Sequence, residues 1–303
     1  NPNVYVDEDY NSDANCAMDL ALKQDFNHTE VVITPEAYMD SWEDSVYYME
    51  QPVYNPSMSM YCFTNKFLSD KEIIVTLAGD MGDEILAGYP KYWKMRNPQW
   101  LKKQIGKTKM ESWDDVLLMW LNRIKRPLNL TDNPISDEIL LQEFKKCYPG
   151  DLWNPNDPIG SHMALDCVAQ VPEEMFSRND KYGMAYSMEG RFPLATKTFM
   201  RYCMSIHTNE KLGPNKSDTK ILIKNAYKGI LPKVILNKTK TGWTVPVGHW
   251  LTTNTSAKLS DFYQARTGSD SGLNVTKASQ KAGKALVPAW IVSDWIKKYN
   301  MTR

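Results

Sequence analysis

Two glycines and three acidic residues stand together in the segment Ala78-Gly79-Asp80-Met81-Gly82-Asp83-Glu84. Glycines at 79 and 82 let a backbone turn tightly and present N–H groups to an anion. Asp80 and Asp83 add carboxylate oxygens, the ligands that Mg²⁺ prefers when it carries phosphates. The segment therefore indicates a loop that binds a phosphorylated ligand with Mg²⁺. The alternative is an ordinary loop in which Asp83 caps the helix that follows it.

A second charged segment, residues 210–240, holds eight lysines and two acidic residues. Lys220, Lys224 and Lys228 recur every four residues, so on a helix they would form one solvated face. The other interpretation is that one end of this stripe meets phosphate. The loop Lys238-Thr239-Lys240-Thr241-Gly242-Trp243 is then the better candidate, because a turn containing glycine can present a lysine to a closed site.

Glu189 and Arg191 form a third candidate group, two residues apart and just before Pro193. They could be a buried ion pair that holds a turn, or they could contact a substrate. The four histidines are far apart and show no metal-ligand spacing, either with each other or with the cysteines, so zinc is not indicated.

The elements that must position these residues alternate between strand and helix over the first ninety residues. Ser12 is predicted to cap the first helix, and Thr34-Pro35-Glu36 is a strong start for the second. A third helix is predicted from Ser57 to Leu68. The predicted strands are Val4-Tyr5-Val6, Val31-Val32-Ile33 and the apolar run Glu72-Ile73-Ile74-Val75-Thr76-Leu77. This alternation is typical of a doubly wound parallel sheet, in which ligands bind at the carboxyl ends of the strands.

The remaining chain lacks strand alternation and is predicted to be mainly helical. Helices are expected from Lys91 to Asp151 and from Ser161 to Ile206, with a loop at residues 154–158 between them. Residues 256–282 have the composition of a flexible linker. The predicted organisation is α/β, with residues 1–90 as the core that carries the anion-binding loop and residues 91–303 as a largely helical remainder.

Composition limits the classes of partner. The 303 residues carry 36 Lys plus Arg and 36 Asp plus Glu, so the net charge is zero and neither nucleic acid nor an acidic membrane is a favoured partner. No apolar run reaches the length of a membrane span, and the first residues lack a signal-peptide pattern. Five widely spaced cysteines predict free thiols in a reducing compartment, so a cytoplasmic location is expected.

Four motifs, in order along the chain, resemble the synthetase domain of glutamine-hydrolysing asparagine synthetases. Residues 78–89 are similar to Ser-Gly-Asp-Gly-Gly-Asp-Glu-Leu-Phe-Gly-Gly-Tyr, and residues 180–193 to Asp-Arg-x-Ser-Met-Ala-x-Ser-x-Glu-x-Arg-x-Pro. Residues 219–232 resemble Thr-Lys-x-Leu-Leu-Arg followed by Gly-x-Leu-Pro, and residues 240–246 resemble Lys-x-Gly-Phe-x-Val-Pro. The resemblance implies a sheet of the adenine nucleotide alpha-hydrolase or PP-loop ATP pyrophosphatase type, with residues 178–250 returning to its active site.

The resemblance also implies a reaction. Aspartate would be converted to asparagine through β-aspartyl-AMP, with release of AMP and pyrophosphate, using ATP and Mg²⁺. Ammonia would come from a glutaminase domain or subunit that is not in this sequence, and a homodimer is allowed. The implied nucleotide contacts are Ala78, Gly79, Asp80, Gly82, Lys220 and, beside the adenine, Val6. Asp83 with Asp80 would bind Mg²⁺–pyrophosphate, Lys240 would stabilise the transition state, and Glu189 and Arg191 would shape the aspartate and ammonia side.

Several departures from the family pattern qualify that reaction. Ala78 replaces a serine and Met81 a glycine, while Gln51 and Asn55 stand where the family has Glu and Asp. These changes allow a related amide ligase with a different acid substrate. The pattern Ser-Gly-Gly-x-Asp-Ser and a glutaminase domain are both missing, so the chain is expected to be a fragment or part of a split enzyme, inactive alone. The alternative is a non-catalytic paralogue that binds a nucleotide or a partner.

Overall fold

The computed structural model describes residues 8–52, 55–128 and 136–241, with residues 291, 294, 295, 298 and 299. Most of this part is helical. The helices are α1 (Glu8–Gln24), α2 (Pro35–Asp40), α3 (Trp42–Met49), α4 (Met58–Ser69), α5 (Gly82–Ile85), α6 (Pro90–Lys94), α7 (Pro98–Ile105), α8 (Trp113–Leu128), α9 (Asp137–Cys147), α10 (Pro158–Val168), α11 (Ser177–Ala185), α12 (Lys197–Ser205), α13 (Ile221–Ala226) and α14 (Lys233–Asn237). A π-helix, Val171–Phe176, leads into α11, and 3-10 turns lie at Gly150–Leu152, Pro193–Ala195 and Thr208–Glu210.

Two short strands, β1 (Val75–Leu77) and β2 (Glu189–Arg191), pair in parallel. The register places Val75 opposite Glu189 and Leu77 opposite Arg191. The described ranges hold this two-stranded sheet, and Val4-Tyr5-Val6 lies outside them, so the doubly wound sheet stays a prediction. The parallel pairing brings the segment after β1 to the same edge as the segment after β2. This is the edge at which ligands bind in open α/β sheets.

One strand prediction is wrong, and a second is confirmed only in part. Residues 31–33 form no strand; they are the connection that leads to the cap of α2. In the run 72–77, Val75–Leu77 is confirmed as a parallel strand, whereas Glu72 lies in a turn with a left-handed φ of 59°. The run is not covered on both faces: Ile74 is 69% exposed and Leu77 is 73% exposed. Within the described ranges β1 pairs along one edge only, with β2, and the described elements leave these two side chains uncovered.

The helix starts were predicted with mixed success. Thr34 is confirmed as the cap of α2, since its hydroxyl accepts a hydrogen bond of 3.2 Å from the Ala37 N–H. Helix α1 begins at Glu8, so Ser12 lies inside the helix and does not cap it. The helix predicted over residues 57–68 is confirmed as α4, and the helical character of residues 91–128 and 137–147 is confirmed as well.

Strand β2 interrupts a region that was predicted as helix from Ser161 to Ile206. Helix α11 ends where Ser187 takes a left-handed φ of 59° and the Met188 N–H donates to the Gly183 carbonyl at 2.9 Å. Glycine is needed at 183, because a Cβ there would lie 2.8 Å from the Met188 carbonyl oxygen. The close turn that starts β2 is a tertiary feature that helical periodicity does not reveal.

The buried side chains form three clusters. One joins α2, α3, α4 and α11 around Tyr38, Met49 and Tyr182. A larger one joins α6, α7, α8 and α10 around Tyr92, Leu117 and Met163. The third lies under the segment after β1 and includes Met81, Ile85, Leu86, Cys167, Val171 and Cys203. All five cysteines are free, as predicted. The described residues contain no helix long and apolar enough to span a membrane.

A polar network lies within the largest cluster, centred on the fully buried Asp166. Its carboxylate accepts hydrogen bonds from Lys91 Nζ at 2.5 Å, Tyr92 Oη at 2.6 Å and Trp120 Nε1 at 3.2 Å. Burial lowers the pKa of the neighbouring His162 to about 4. Because a buried charge needs partners, this network ties α6, α8 and α10 together.

Candidate active site

The segment between β1 and α6 forms the candidate site, beginning where β1 ends. The Ala78 N–H donates to the Arg191 carbonyl at 2.9 Å and extends the parallel ladder by one residue. Met81 then takes a left-handed φ of 73° and precedes α5, with its side chain buried. The left-handed region favours glycine and costs other residues roughly 1–2 kcal/mol. Burial of the Met81 side chain in the cluster below offsets this strain.

Asp83 is the centre of the site. Lys220 Nζ lies 2.8 Å from Asp83 Oδ1, and Lys240 Nζ lies 2.9 Å from Asp83 Oδ2. Burial acts to raise the pKa of Asp83, but the charges of Lys220 and Lys240 outweigh it and hold this pKa below its ordinary value. One carboxylate against two ammonium groups leaves one net positive charge. Two lysines from a distant part of the chain are thus gathered at the carboxyl edge of the sheet, where they can meet an anion.

Gly88 makes this placement of Asp83 possible. A Cβ added at position 88 would lie 1.8 Å from Asp83 Oδ1 and 2.9 Å from the Asp83 Cα. Any side chain at 88 would therefore displace the carboxylate that holds both lysines. The alternative prediction for Asp83, that it caps its own helix, is wrong: the capping position of α5 is Met81, and Asp83 lies inside the helix.

Tyr89 and Glu84, which the sequence analysis did not single out, form the back of the site. Lys240 Nζ lies 5.7 Å from the centroid of the Tyr89 ring, within the range of a cation–π contact. The Tyr89 hydroxyl donates to Glu84 Oε1 at 2.7 Å. Glu84 is buried, and burial raises its pKa. The sequence could have indicated both residues by their position, because they lie within the same motif as Asp83.

Asp80 lies apart from the ion pairs of Asp83. Burial raises its pKa, whereas Arg178 and, more weakly, Lys240 act to lower it. Asp80 therefore lies within electrostatic range of both Lys240 and Arg178, which belongs to α11.

The predicted lysine stripe does not form. Helix α13 begins only at Ile221, Lys220 precedes it with a left-handed φ of 55°, and Lys228 lies beyond its end. Of the three lysines, only Lys224 is in the helix, and its Nζ donates to the Lys238 carbonyl at 3.3 Å. The left-handed Lys220 breaks the helical repeat and turns its side chain toward Asp83. Lys220, which the predicted helical face would have placed in solvent, is thus one of the two lysines beside Asp83.

Glu189 and Arg191 form an ion pair, but the prediction that this pair is buried is wrong. Arg191 Nε lies 3.2 Å from Glu189 Oε1, and the two side chains are 59% and 58% exposed for Glu189 and Arg191. Both residues belong to β2, so their side chains point to the same face and reach each other in solvent. Their backbone holds β1 in register; a contact with substrate stays a prediction.

The expected nucleotide contacts differ in how accessible they are to a ligand. The Ala78 N–H already donates a hydrogen bond to the Arg191 carbonyl. Gly79 has open space around it, since nothing lies within 4 Å of a Cβ built there, and a ligand can approach. Gly82 faces the protein instead: its Cβ would lie 2.8 Å from Leu194 Cδ1. Val6 and residues 242–246 of the last motif lie outside the described residues, as does the predicted linker at 256–282.

The described residues do not fit a resident metal ion. Each oxygen of Asp83 faces an ammonium group, and the described part of the chain contains no group of three His, Cys, Asp or Glu residues that could hold a metal. Mg²⁺ is commonly held by one or two carboxylates together with the phosphates of a substrate. The assignment of Asp83 and Asp80 as Mg²⁺ ligands stays a prediction, and these residues alone do not build the site.

The described structure defines the chain first as an α/β protein in which one carboxylate and two lysines lie together at the carboxyl edge of its parallel strands. Residues 3–281 match the family model described as asparagine synthase. The chain belongs to the asparagine synthase family, whose domain has a PP-loop-type fold.

Curated relatives agree with this family. The chain is 26% identical over 267 residues to "Asparagine synthetase (glutamine-hydrolyzing) 1" of Bacillus subtilis (strain 168), covering 79% of this chain and 41% of the relative. It is 25% identical over 251 residues to "Asparagine synthetase (glutamine-hydrolyzing) 3" of the same organism, covering 76% and 37%. A putative asparagine synthetase of Mycobacterium tuberculosis (strain ATCC 25618 / H37Rv) is 22% identical over 249 residues, covering 74% and 37%. The chain thus spans less than half the length of these relatives.

Proposed function

We propose that this chain carries the ligase site of an enzyme that converts aspartate to asparagine with ATP. The observation that carries the proposal is the Asp83 carboxylate holding Lys220 and Lys240 at the carboxyl edge of β1. Membership of the asparagine synthase family supports it. The nucleotide would lie over the open side of Gly79, with its phosphates toward the two lysines.

In the first step the β-carboxylate of aspartate attacks the α-phosphorus of ATP. The bond to pyrophosphate breaks and β-aspartyl-AMP forms. Negative charge grows on the leaving group, so ammonium groups fixed in advance stabilise the transition state more than the ground state. Lys240 and Lys220 take this role, and Asp83 and the Tyr89 ring hold Lys240 in place before the substrate arrives.

In the second step ammonia attacks the carbonyl carbon of β-aspartyl-AMP, and AMP leaves as asparagine forms. Mg²⁺ would enter as the counter-ion of ATP, as part of that substrate. The relatives are named as glutamine-hydrolyzing, so we propose that ammonia is supplied by a glutaminase region outside this chain. A homodimer and a cytoplasmic location stay predictions.

The test measures pyrophosphate release from ATP by this chain and by the longest open-reading-frame product that contains it. We expect release that requires both aspartate and ammonia in the longer product. A panel of other carboxylic acids in the same assay distinguishes aspartate from another acid substrate. If neither protein releases pyrophosphate with any acid, the ligase proposal is overturned and the non-catalytic alternative is favoured.

A further inference from the structure

A second charged cluster, centred on Arg178 of α11, is not used by the steps above. We call it the Arg178 cluster; it consists of Asn55, Tyr61, Glu174 and Arg178. Arg178 Nη1 and Asn55 Nδ2 both donate to Glu174 Oε1, the latter at 2.5 Å. Arg178 Nη2 donates to the Tyr61 hydroxyl at 3.2 Å, and the guanidinium carbon lies 4.4 Å from the centroid of the Tyr61 ring.

The orientation of Asn55 is fixed by its hydrogen bonds. Its Oδ1 accepts from the Ser57 N–H at 2.9 Å and from the Ser57 hydroxyl at 2.6 Å, so its Nδ2 must be the group that faces Glu174. A carboxylate at position 55 would bring two acceptor-only groups together. The amide therefore leaves the charge of Glu174 available to Arg178.

Arg178 is fixed by its neighbours, but in the described part of the chain not all of its N–H donors have an acceptor. It is only 7% exposed, and its buried Nε has no hydrogen-bond partner among the described residues. An unused N–H on a buried guanidinium is unfavourable unless a further acceptor completes it. Among charged groups, Arg178 has the largest effect on the pKa of Asp80, and Lys240 also acts on it. Arg178 and Lys240 therefore both act electrostatically on the same loop residue, Asp80.

We propose that Arg178 receives a carboxylate of the acid co-substrate, and that Asn55, Glu174 and Tyr61 position its guanidinium for this contact. The inference rests on the proposed function and makes it more specific. One carboxylate of an amino dicarboxylic acid is activated near Lys240, while the other is held by Arg178. Guanidinium groups bind carboxylates through directed N–H donors, which an ammonium group does not reproduce.

The kinetic test uses pyrophosphate release by the longest product that contains this chain. For Arg178→Lys we expect the KM for aspartate to rise by about tenfold or more, with the KM for ATP within twofold of the unmodified protein. Arg96→Lys is the matched control. Arg96 also has a buried Nε without a partner in the described structure, but its other donors bind the Gly213 and Leu212 carbonyls, so this variant should leave the KM for aspartate unchanged.

A charge exchange tests the positioning role. Asn55→Asp should raise the KM for aspartate, because the introduced carboxylate and Glu174 repel each other and Arg178 shifts. The double variant Asn55→Asp with Glu174→Gln restores one carboxylate and one amide, and we expect it to recover most of the lost affinity. An effect on folding alone would lower the thermal midpoint without this selective recovery in KM.

Two outcomes overturn the inference while leaving the ligase proposal intact: an aspartate KM that Arg178→Lys does not change, or an exchange variant that recovers nothing. If the unmodified product releases no pyrophosphate, the ligase proposal fails. Aspartate binding to this chain, followed by ligand-observed NMR, then decides the inference alone. Binding that Arg178→Lys abolishes supports it; no binding, or equal binding by both proteins, overturns it.

Discussion

Asp83 and Asp166 are two carboxylates that each hold lysine, and they differ in what surrounds them. Asp166 is fully buried among α6, α8 and α10, where Lys91, Tyr92 and Trp120 satisfy it. Asp83 lies at the edge of the sheet, and its lysines, 32% and 30% exposed for Lys220 and Lys240, come from residues 220–240, far along the chain from Asp83. These three partners of Asp166 lie mostly inside the protein, whereas the two lysines at Asp83 carry positive charge that is partly exposed to solvent.

The difference shows how one kind of ion pair serves two purposes. In the interior a charged group must be fully partnered, so the Asp166 network stabilises the fold and leaves nothing for a ligand. At the sheet edge, Lys220 and Lys240 are partly exposed to water, so they can turn from Asp83 to bind an anion. Removing each carboxylate in turn should therefore have opposite consequences for stability and for ligand binding.

The largest expected effect is on stability. Asp166→Asn leaves the Lys91 ammonium without a counter-charge in the interior, and we expect a loss of about 3–5 kcal/mol in the free energy of unfolding, measured with denaturant. Asp83→Asn is the matched comparison. Its lysines can turn to solvent, so the loss should be about 1 kcal/mol or less. Equal losses for the two variants would contradict the comparison.

The next effect concerns pH. His162 has a pKa of about 4 in the folded protein, against about 6.5 when unfolded, so on acidification the unfolded state takes up this proton first. The contribution of His162 to stability is therefore fully present only well above pH 6.5 and is lost as the pH falls toward 4, with about 2 kcal/mol lost by pH 5. In His162→Gln, the free energy of unfolding, measured with denaturant, should lose most of this dependence on pH. The exposed His28 provides the control, and His28→Gln should keep this dependence.

A smaller effect is expected at Met81, at the entrance to the site. Met81→Ala loses buried side-chain volume and keeps the left-handed strain, while Met81→Gly loses slightly more volume and relieves the strain. We expect the glycine variant to be more stable than the alanine variant by about 1 kcal/mol in denaturant unfolding. In most helix and strand positions a glycine variant is less stable than an alanine variant. If Met81→Gly were also less stable than Met81→Ala, the backbone at position 81 would not be strained.

The smallest effect is predicted for Glu189 and Arg191. Because both side chains are exposed, Glu189→Gln should leave the thermal denaturation midpoint unchanged at low and high salt. A clear drop in the midpoint would mean that the pair stabilises the β1–β2 register. If aspartate-dependent pyrophosphate release falls while the midpoint stays constant, the prediction that this pair faces the substrate side gains support.

The sequence was most informative where chemistry and geometry are local. The glycines and acids of residues 78–84 predicted a functional loop after a strand, and Thr34 predicted a helix start, because both patterns depend on near neighbours. The sequence was silent where distant segments meet. Asn55 and Glu174 are 119 positions apart, and nothing in their spacing indicates a contact. Likewise Lys220, whose left-handed backbone breaks the predicted stripe, pairs with Asp83 from a distant part of the sequence.

The central claim is that Lys240, fixed by Asp83 and Tyr89, stabilises the charge that develops on pyrophosphate. Its most direct test compares Lys240→Gln with Lys238→Gln in the longest product that contains the chain. Both variants remove one charge from the same loop, but Lys238 pairs with Asp13, away from Asp83. We predict that Lys240→Gln lowers kcat for aspartate-dependent pyrophosphate release by about 100-fold or more, while Lys238→Gln changes it by less than about threefold. Equal rates in the two variants would contradict the account.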